Sequence, residues 1–390
     1  MRFVSSILSC CITLIIVLNI IPVVDVYAEE IEVSAISAIV IEASTGSVIY
    51  EKNADEQLAP ASVTKVMTLL LIFEALEEEK IYLTDIVTVS EYASSMGGSQ
   101  IYLEAGEEQT VETMMKSITV ASANDACVAM AEFVEGSENE FVAKMNDKAQ
   151  ELGMTNTNFV NCNGLDAEGH VTTARDIATM SNELIMKYPE VEEYTMIWME
   201  DITHVTAKGS SIFGLSNTNK LIKEYAYTTG LKTGSTDNAK FCISATARKD
   251  EIDMIAVVMG APTSNDRTSD AIALLDYGFS KSQKYIDEEQ LIYNDIVINK
   301  GIRDTVEGIG EEKFAYIDTN GNDLSLIEKD VEYLDAELLT APIFAGDTVG
   351  NVYYRLNGEI IGSVELKALD SVEAMSLKYT LFELLPEFLL

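Results

Sequence analysis

Positive charge is scarce in this 390-residue chain: 26 lysines and arginines face 64 aspartates and glutamates, for a formal net charge of −38. So acidic an exterior disfavours nucleic acid or anionic lipid as electrostatically held partners. Histidine is scarcer still. Only His170 and His204 occur, far apart in sequence, and neither an HExxH nor a CxxC spacing is present. The sequence therefore calls for no catalytic metal and no cofactor. A Ser-His-Asp triad would have to recruit one of two unremarkable histidines, so serine chemistry here needs another base. Cysteine is sparse too. Of the five, Cys10 and Cys11 fall in the first 28 residues, leaving Cys127, Cys162 and Cys242. That odd set is one disulfide with a leftover or, the preferred and simpler reading, three buried thiols.

What is present begins with a leader. Arg2 precedes an apolar run from Ile12 to Val24, and Val26-Tyr27-Ala28 closes it with small residues. This is the pattern of a secretory signal peptide cleaved after Ala28; the run is short for a spanning helix. An exported, extracytoplasmic protein is expected, associated with cell wall or membrane.

Residues 36–50 read as two strands around Ser44-Thr45-Gly46. Pro60 opens a helix running to about Lys80, and Val66 to Phe73 is apolar on nearly every face, which predicts burial. Helical periodicity returns in 110–134, 138–152, 173–187 and 267–280. Residues 226–260 have strand character, with Phe241 to Ala247 and Ile252 to Met259 flanking the polar turn 248–251. Beyond about 285 the texture is all-β: Leu291 to Asn299, Phe314 to Ile317, Val349 to Leu356 and Ile360 to Leu366 alternate with turns. Asp318-x-Asn320-Gly321 lacks the bidentate glutamate of a calcium loop and reads as a plain turn. The tail from Ser371 to Leu390 carries Val372, Met375, Tyr379 and Phe382 at helical spacing. It is a membrane-surface anchor, the favoured reading, or a last helix packed on the β-region.

Ser62-Val63-Thr64-Lys65 places a hydroxyl and an amine three residues apart at a helix start. There both emerge on one face, beside free N–H groups and the positive end of the dipole. Burial lowers a lysine's pKa, and a neutral amine beside a hydroxyl is a general base. A capping serine with a snorkelling lysine gives the same spacing, and local sequence alone does not separate the two. Lys232-Thr233-Gly234 stands before the strand pair; its lysine and hydroxyl suit a carboxylate, and its glycine permits close approach of a ligand. Of two Ser-x-Asn sites, Ser137-Glu-Asn139 sits in a polar turn. Ser122-Ala-Asn124 lies between apolar stretches at a buried helix junction, where polar groups must be satisfied or functional. Arg267 adds a fork-shaped cation suited to a carboxylate.

Ser-x-x-Lys, Ser-x-Asn and Lys-Thr-Gly in that order are the triplet of the penicillin-recognising serine enzymes. Over most of 35–285 the sequence resembles the low-molecular-mass D-alanyl-D-alanine carboxypeptidases. The resemblance is dense at residues 59–68, 98–107, 120–126, 230–237, 257–260 and 274–279. It implies an α+β fold: a penicillin-binding/β-lactamase-like transpeptidase domain (29–284), an antiparallel sheet with helices on both sides, then a small all-β domain (285–370) and the anchor (371–390). It implies that Ser62 attacks the carbonyl between the last two D-alanines of a peptidoglycan stem peptide while Lys65 takes its proton. Ser122 and Lys232 then relay the proton, and Asn124 holds the peptide. The N–H groups of Ser62 and Ser235 form the oxyanion hole beside Gly234, and Thr233 and Arg267 receive the carboxylate. β-Lactams would acylate the same serine.

Three departures stand out. Ala123 replaces a usual glycine and is expected to narrow the cleft. Lys240 replaces a common glycine and puts the local turn in question. Ser235 replaces a larger side chain. A class A β-lactamase would need a Glu-x-x-Leu-Asn loop between Ser122 and Lys232, which is absent. A transpeptidase and a non-catalytic β-lactam sensor remain as alternatives.

Overall fold

The computed structural model describes residues 31–335 and 337–376. The leader expected at 1–28 and the tail beyond Ser376 lie outside the described residues. Five strands form the main sheet: β1 (Ser37–Glu42), β2 (Val48–Lys52), β3 (Thr228–Thr236), β4 (Lys240–Lys249) and β5 (Ile252–Ala261). Their order is β2-β1-β5-β4-β3, antiparallel throughout. β4 and β5 join through Asp250 and Glu251, both in the left-handed region, which matches the twist of a two-residue hairpin.

The apolar residues of β1 and β5 alternate between two covered faces. Ile39, Ile41, Ile255, Val257 and Met259 enter the large core shared with α1 (Lys65–Glu77). Around α1 lie α2 (Val111–Val120), α3 (Asn124–Glu135), α4 (Glu138–Glu151) and α5 (Ala174–Lys187). The opposite face carries α6 (Ser264–Lys281), which buries Leu274 and Leu275 against β4 and β5. The expected sheet with helices on both sides is what the chain forms. Every residue of α1 from Lys65 to Phe73 is buried, as its all-round apolar sequence requires. Helix starts follow the caps: the hydroxyls of Thr110, Ser137, Thr173 and Thr263 each accept from an amide three residues on. Ser137 thus has an ordinary structural task. The hairpin Met199–Thr206 with Gly209–Ser216 was not legible in sequence, because apolar Val205 and Ile212 face solvent and blur the alternation.

The C-terminal region is all-β, as expected. β6 (Ile292–Val297), β7 (Thr305–Gly310), β8 (Glu328–Tyr333), β9 (Thr348–Leu356) and β10 (Glu359–Ala368) form an antiparallel sheet in the order β6-β7-β10-β9-β8. Phe314 stacks on Tyr354 at 3.7 Å in its core. β7 is glycine-rich and β8 strongly charged, so neither carried a strand signal. The Asp318 carboxylate accepts from the amides of Asn320 and Asn322, which makes 318–322 a closed turn. One reading is corrected. Val372 and Met375 do not begin a helix: 371–376 is extended, Val372 pairs with Ile343 and is buried in the β-core, and the Met375 amide donates to the Lys300 carbonyl. A residue that fills a core leaves the helical stripe it had suggested. Among the described residues no helix is long and apolar enough to cross a membrane. Cys127, Cys162 and Cys242 are buried, unbridged thiols, with the Sγ atoms of Cys127 and Cys162 3.8 Å apart.

Candidate active site

Four segments converge at one end of α1. The first is a 3₁₀ turn, Ala61–Thr64, that leads into α1. At three residues per turn, positions i and i+3 eclipse, so Ser62 and Lys65 face each other. Lys65 Nζ stands 3.1 Å from Ser62 Oγ. It also reaches Asn124 Oδ1 at 2.6 Å and the Asn163 carbonyl at 2.5 Å. Burial holds the Lys65 pKa below the ordinary lysine range, and the fields of Cys127, Cys162 and Asp125 oppose that only in part. A neutral amine is thereby within reach, with a lone pair for the serine hydroxyl.

The second segment is the break between α2 and α3. Ser122 takes φ 57 there, the left-handed region, and its buried Oγ has no hydrogen-bond partner. An unpaired buried hydroxyl costs stability, which makes Ser122 a candidate for chemistry. Asn124 opens α3. Its Oδ1 accepts from Lys65 and its Nδ2 donates to the Gly97 carbonyl at 2.7 Å, so both ends of the amide are engaged. Ala123 does not narrow the cleft: its methyl is fully buried in the apolar core.

The third segment is β3. Gly234 lies so close to the nucleophile turn that a Cβ there would stand 2.7 Å from Ser62 N. Lys232 is buried, and its Nζ donates to the Thr233 carbonyl at 3.0 Å. Desolvation pushes its pKa well down, and the neighbouring charges of Lys65 and Arg267 push the same way. The Thr233 hydroxyl pairs with that of Thr218 at 2.6 Å. Ser235 is exposed. Lys240 adopts φ 56, a conformation glycine takes without strain, yet its pairing with Thr236 is kept and its Nζ donates to the Asp237 carbonyl. Arg267, in the first turn of α6, is buried, with Nη2 on Ser264 Oγ at 3.2 Å and Nε unpartnered. Burial lowers its pKa as well. Three basic side chains, Lys65, Lys232 and Arg267, thus lie buried together, and of these the Arg267 guanidinium is the one that stays charged. Among the described residues no carboxylate ion-pairs with any of them. A buried guanidinium with no carboxylate partner and an unpartnered Nε suits an anionic group on a ligand.

The fourth segment, 159–170, held residues that sequence reasoning missed. Asn163 supplies Lys65 with a backbone acceptor, which no side-chain motif reveals. The run Asn161-Cys-Asn-Gly164 has the composition of a turn and matches no catalytic motif. Thr218 was also missed, since a threonine in an unassigned stretch carries no signal.

The chain's relatives carry the same two-part organisation. The family model described as D-alanyl-D-alanine carboxypeptidase matches residues 24–263, and that described as penicillin-binding protein 5, C-terminal domain, matches 281–374. The chain is 42% identical over 345 residues to the D-alanyl-D-alanine carboxypeptidase DacF of Bacillus subtilis, covering 88% of this chain and 87% of the relative. Among solved structures it is similar to penicillin-binding protein 5 of Haemophilus influenzae, with 28% identity and TM-score 0.68 over 88% of this chain and 99% of the other. The peptidoglycan synthesis regulatory factor (PBP3) of Streptococcus pneumoniae gives 28% identity and TM-score 0.70 over 88% of this chain and 100% of the other. With a family match over more than half its length, and a relative of this identity over most of it, the chain belongs to the D-alanyl-D-alanine carboxypeptidases, serine peptidases of the low-molecular-mass penicillin-binding class.

Proposed function

We propose that this carboxypeptidase acts outside the cytoplasm, removes the terminal D-alanine from peptidoglycan stem peptides through an ester on Ser62, and is acylated there by β-lactams. The observation that carries the nucleophile assignment is the 3.1 Å contact between Lys65 Nζ and Ser62 Oγ, in a buried setting that favours the neutral amine. Ser62 Oγ bonds to the penultimate D-alanine's carbonyl carbon as Lys65 takes the hydroxyl proton. The N–H groups of Ser62 and Ser235 stabilise the oxyanion. The proton passes by way of Ser122 and Lys232 to the departing nitrogen, the C–N bond breaks, and D-alanine leaves. Thr233 and Arg267 receive the terminal carboxylate, a role that the unpartnered Arg267 guanidinium supports. The two engaged ends of Asn124 support a refinement of its role: it aims Lys65 as well as flanking the peptide. Water then hydrolyses the ester. Export rests on the leader's pattern, and peripheral attachment to the outer face of the cytoplasmic membrane on the apolar residues of the tail, Tyr379, Leu381, Phe382, Leu384, Leu385 and Phe388.

The test incubates the mature protein with diacetyl-lysyl-D-alanyl-D-alanine and, separately, with labelled penicillin. D-Alanine release together with stable labelling supports the reading. Penicillin hydrolysis without D-alanine release sinks it in favour of a β-lactamase, and stable labelling without release favours a sensor. A Ser62→Ala protein that still released D-alanine would remove the proposed nucleophile.

A further inference from the structure

The segment 159–170 touches the nucleophile turn at three points. The Asn163 carbonyl receives Lys65 Nζ. Gly164, at φ 88, approaches so closely that an added Cβ would lie 1.9 Å from the Ala61 carbonyl oxygen. His170 Nε2 lies 2.8 Å from Thr64 Oγ1.

The third contact has only one consistent proton arrangement. The Val160 amide donates to His170 Nδ1 at 2.9 Å, so Nδ1 is an acceptor and carries no proton. A neutral imidazole then keeps its hydrogen on Nε2 and donates it to Thr64 Oγ1. The Thr64 hydroxyl spends its own hydrogen on the Ala61 carbonyl at 2.8 Å. Val160 N–H, imidazole, Thr64 hydroxyl and Ala61 carbonyl therefore form one directed chain, from the loop to the residue before Ser62. His170 is buried and packs its ring against Phe159. Burial pushes its pKa down to about 4, against the opposing field of Asp166, so the imidazole is neutral at working pH. Asp166 itself accepts from the Thr236 hydroxyl at 2.7 Å, tying the same loop to the end of β3.

We infer that His170 is a positioning residue for the acyl-transfer reaction: its neutral imidazole clamps the 159–170 loop to the nucleophile turn and so keeps the Asn163 carbonyl on Lys65. The inference rests on the assignment of Ser62 and Lys65 made above. His170 touches no reacting atom, and its effect passes through Thr64 and the loop. Misplacement by about 1 Å in such a site costs on the order of 10²-fold in rate.

The test compares His170→Ala, His170→Gln and Thr64→Val with the parent by D-alanine release, by the second-order rate of penicillin acylation, and by melting temperature. Glutamine retains a distal amide that both accepts and donates. The expected result is that His170→Ala lowers kcat/KM and the acylation rate together, by about 10- to 100-fold, while His170→Gln recovers at least half of that loss on a logarithmic scale. Thr64→Val removes the acceptor of Nε2–H and is expected to lower the same two rates. A lower melting temperature with rates within twofold of the parent overturns the inference, as does a folded His170→Gln no better than alanine. If His170→Ala does not fold, Thr64→Val decides: rates within twofold of the parent overturn the clamp. Ser62→Ala is run alongside. If that variant still released D-alanine, the nucleophile assignment would fail, a result distinct from failure of the clamp.

Discussion

Replacing Gly234 by alanine tests how closely β3 and the nucleophile turn must meet. The added Cβ would stand 2.7 Å from Ser62 N, 3.0 Å from Val63 N and 3.0 Å from Ala61 Cβ. Two of these atoms are backbone and the third is a methyl with no rotamer to escape into. Ordinary contact begins at 3.4 Å, so the strand must retreat from the turn by about 0.7 Å. The N–H groups proposed as oxyanion donors belong to Ser62, in the turn, and Ser235, in β3, and such donors work over a window of only about 2.7–3.1 Å. A retreat of this size takes one donor out of reach. Loss of one such donor costs about 10²–10³ in kcat, or about 2.7–4 kcal/mol of transition-state stabilisation. The assay is the single-turnover rate of labelling by fluorescent penicillin, with D-alanine release in parallel and melting temperature as the check on folding. Because the lysine and serine side chains remain, slow labelling of a folded protein is expected, not its absence. A folded Gly234→Ala protein that acylates within threefold of the parent would refute the reasoning.

Four further outcomes follow from the site. Burial holds the Lys65 pKa below its ordinary value, and the base must be neutral; kcat/KM should therefore fall as pH drops through that lowered pKa, read as the acid limb of a pH–rate profile. Lys65→Arg, whose side chain stays charged, should lose at least about 10³-fold at every pH, since it removes the base from all of them. Ser122→Ala should cost about 10²-fold or more in acylation while leaving the melting temperature within a few degrees of the parent, because the hydroxyl it removes has no partner in the fold. Arg267→Gln should raise KM for the dipeptide-terminated substrate by about 10- to 100-fold with a smaller change in kcat, reflecting a lost charge-assisted contact to the carboxylate.

The sequence alone determined a good deal. All-round apolar composition from Val66 to Phe73 dictated a buried helix, and a lysine at its head had to be desolvated; both are local facts. The switch to alternating runs beyond 285 announced a second, all-β region, and Ser137 could be set aside as a turn residue because its neighbours are polar. What sequence could not decide was whether Ser62 and Lys65 were a cap or a dyad. A spacing of three residues permits the contact, but the 3.1 Å separation depends on the 3₁₀ turn, and the turn is braced by residues about a hundred positions away. The backbone carbonyl of Asn163 carries no side-chain signature, and His170 looked unremarkable because its partners, Val160 and Thr64, are a backbone amide and a commonplace hydroxyl. Val372 shows the converse. Its helical spacing was real in one dimension, but the β-core closed over it, and burial outweighed the weak local preference of a short stretch. Local patterns thus singled out Ser62, Lys65 and the basic residues near them, whereas tertiary packing brought the 159–170 loop onto Lys65. Side-chain chemistry is written residue by residue, and the contacts that aim it are made between segments distant in the chain.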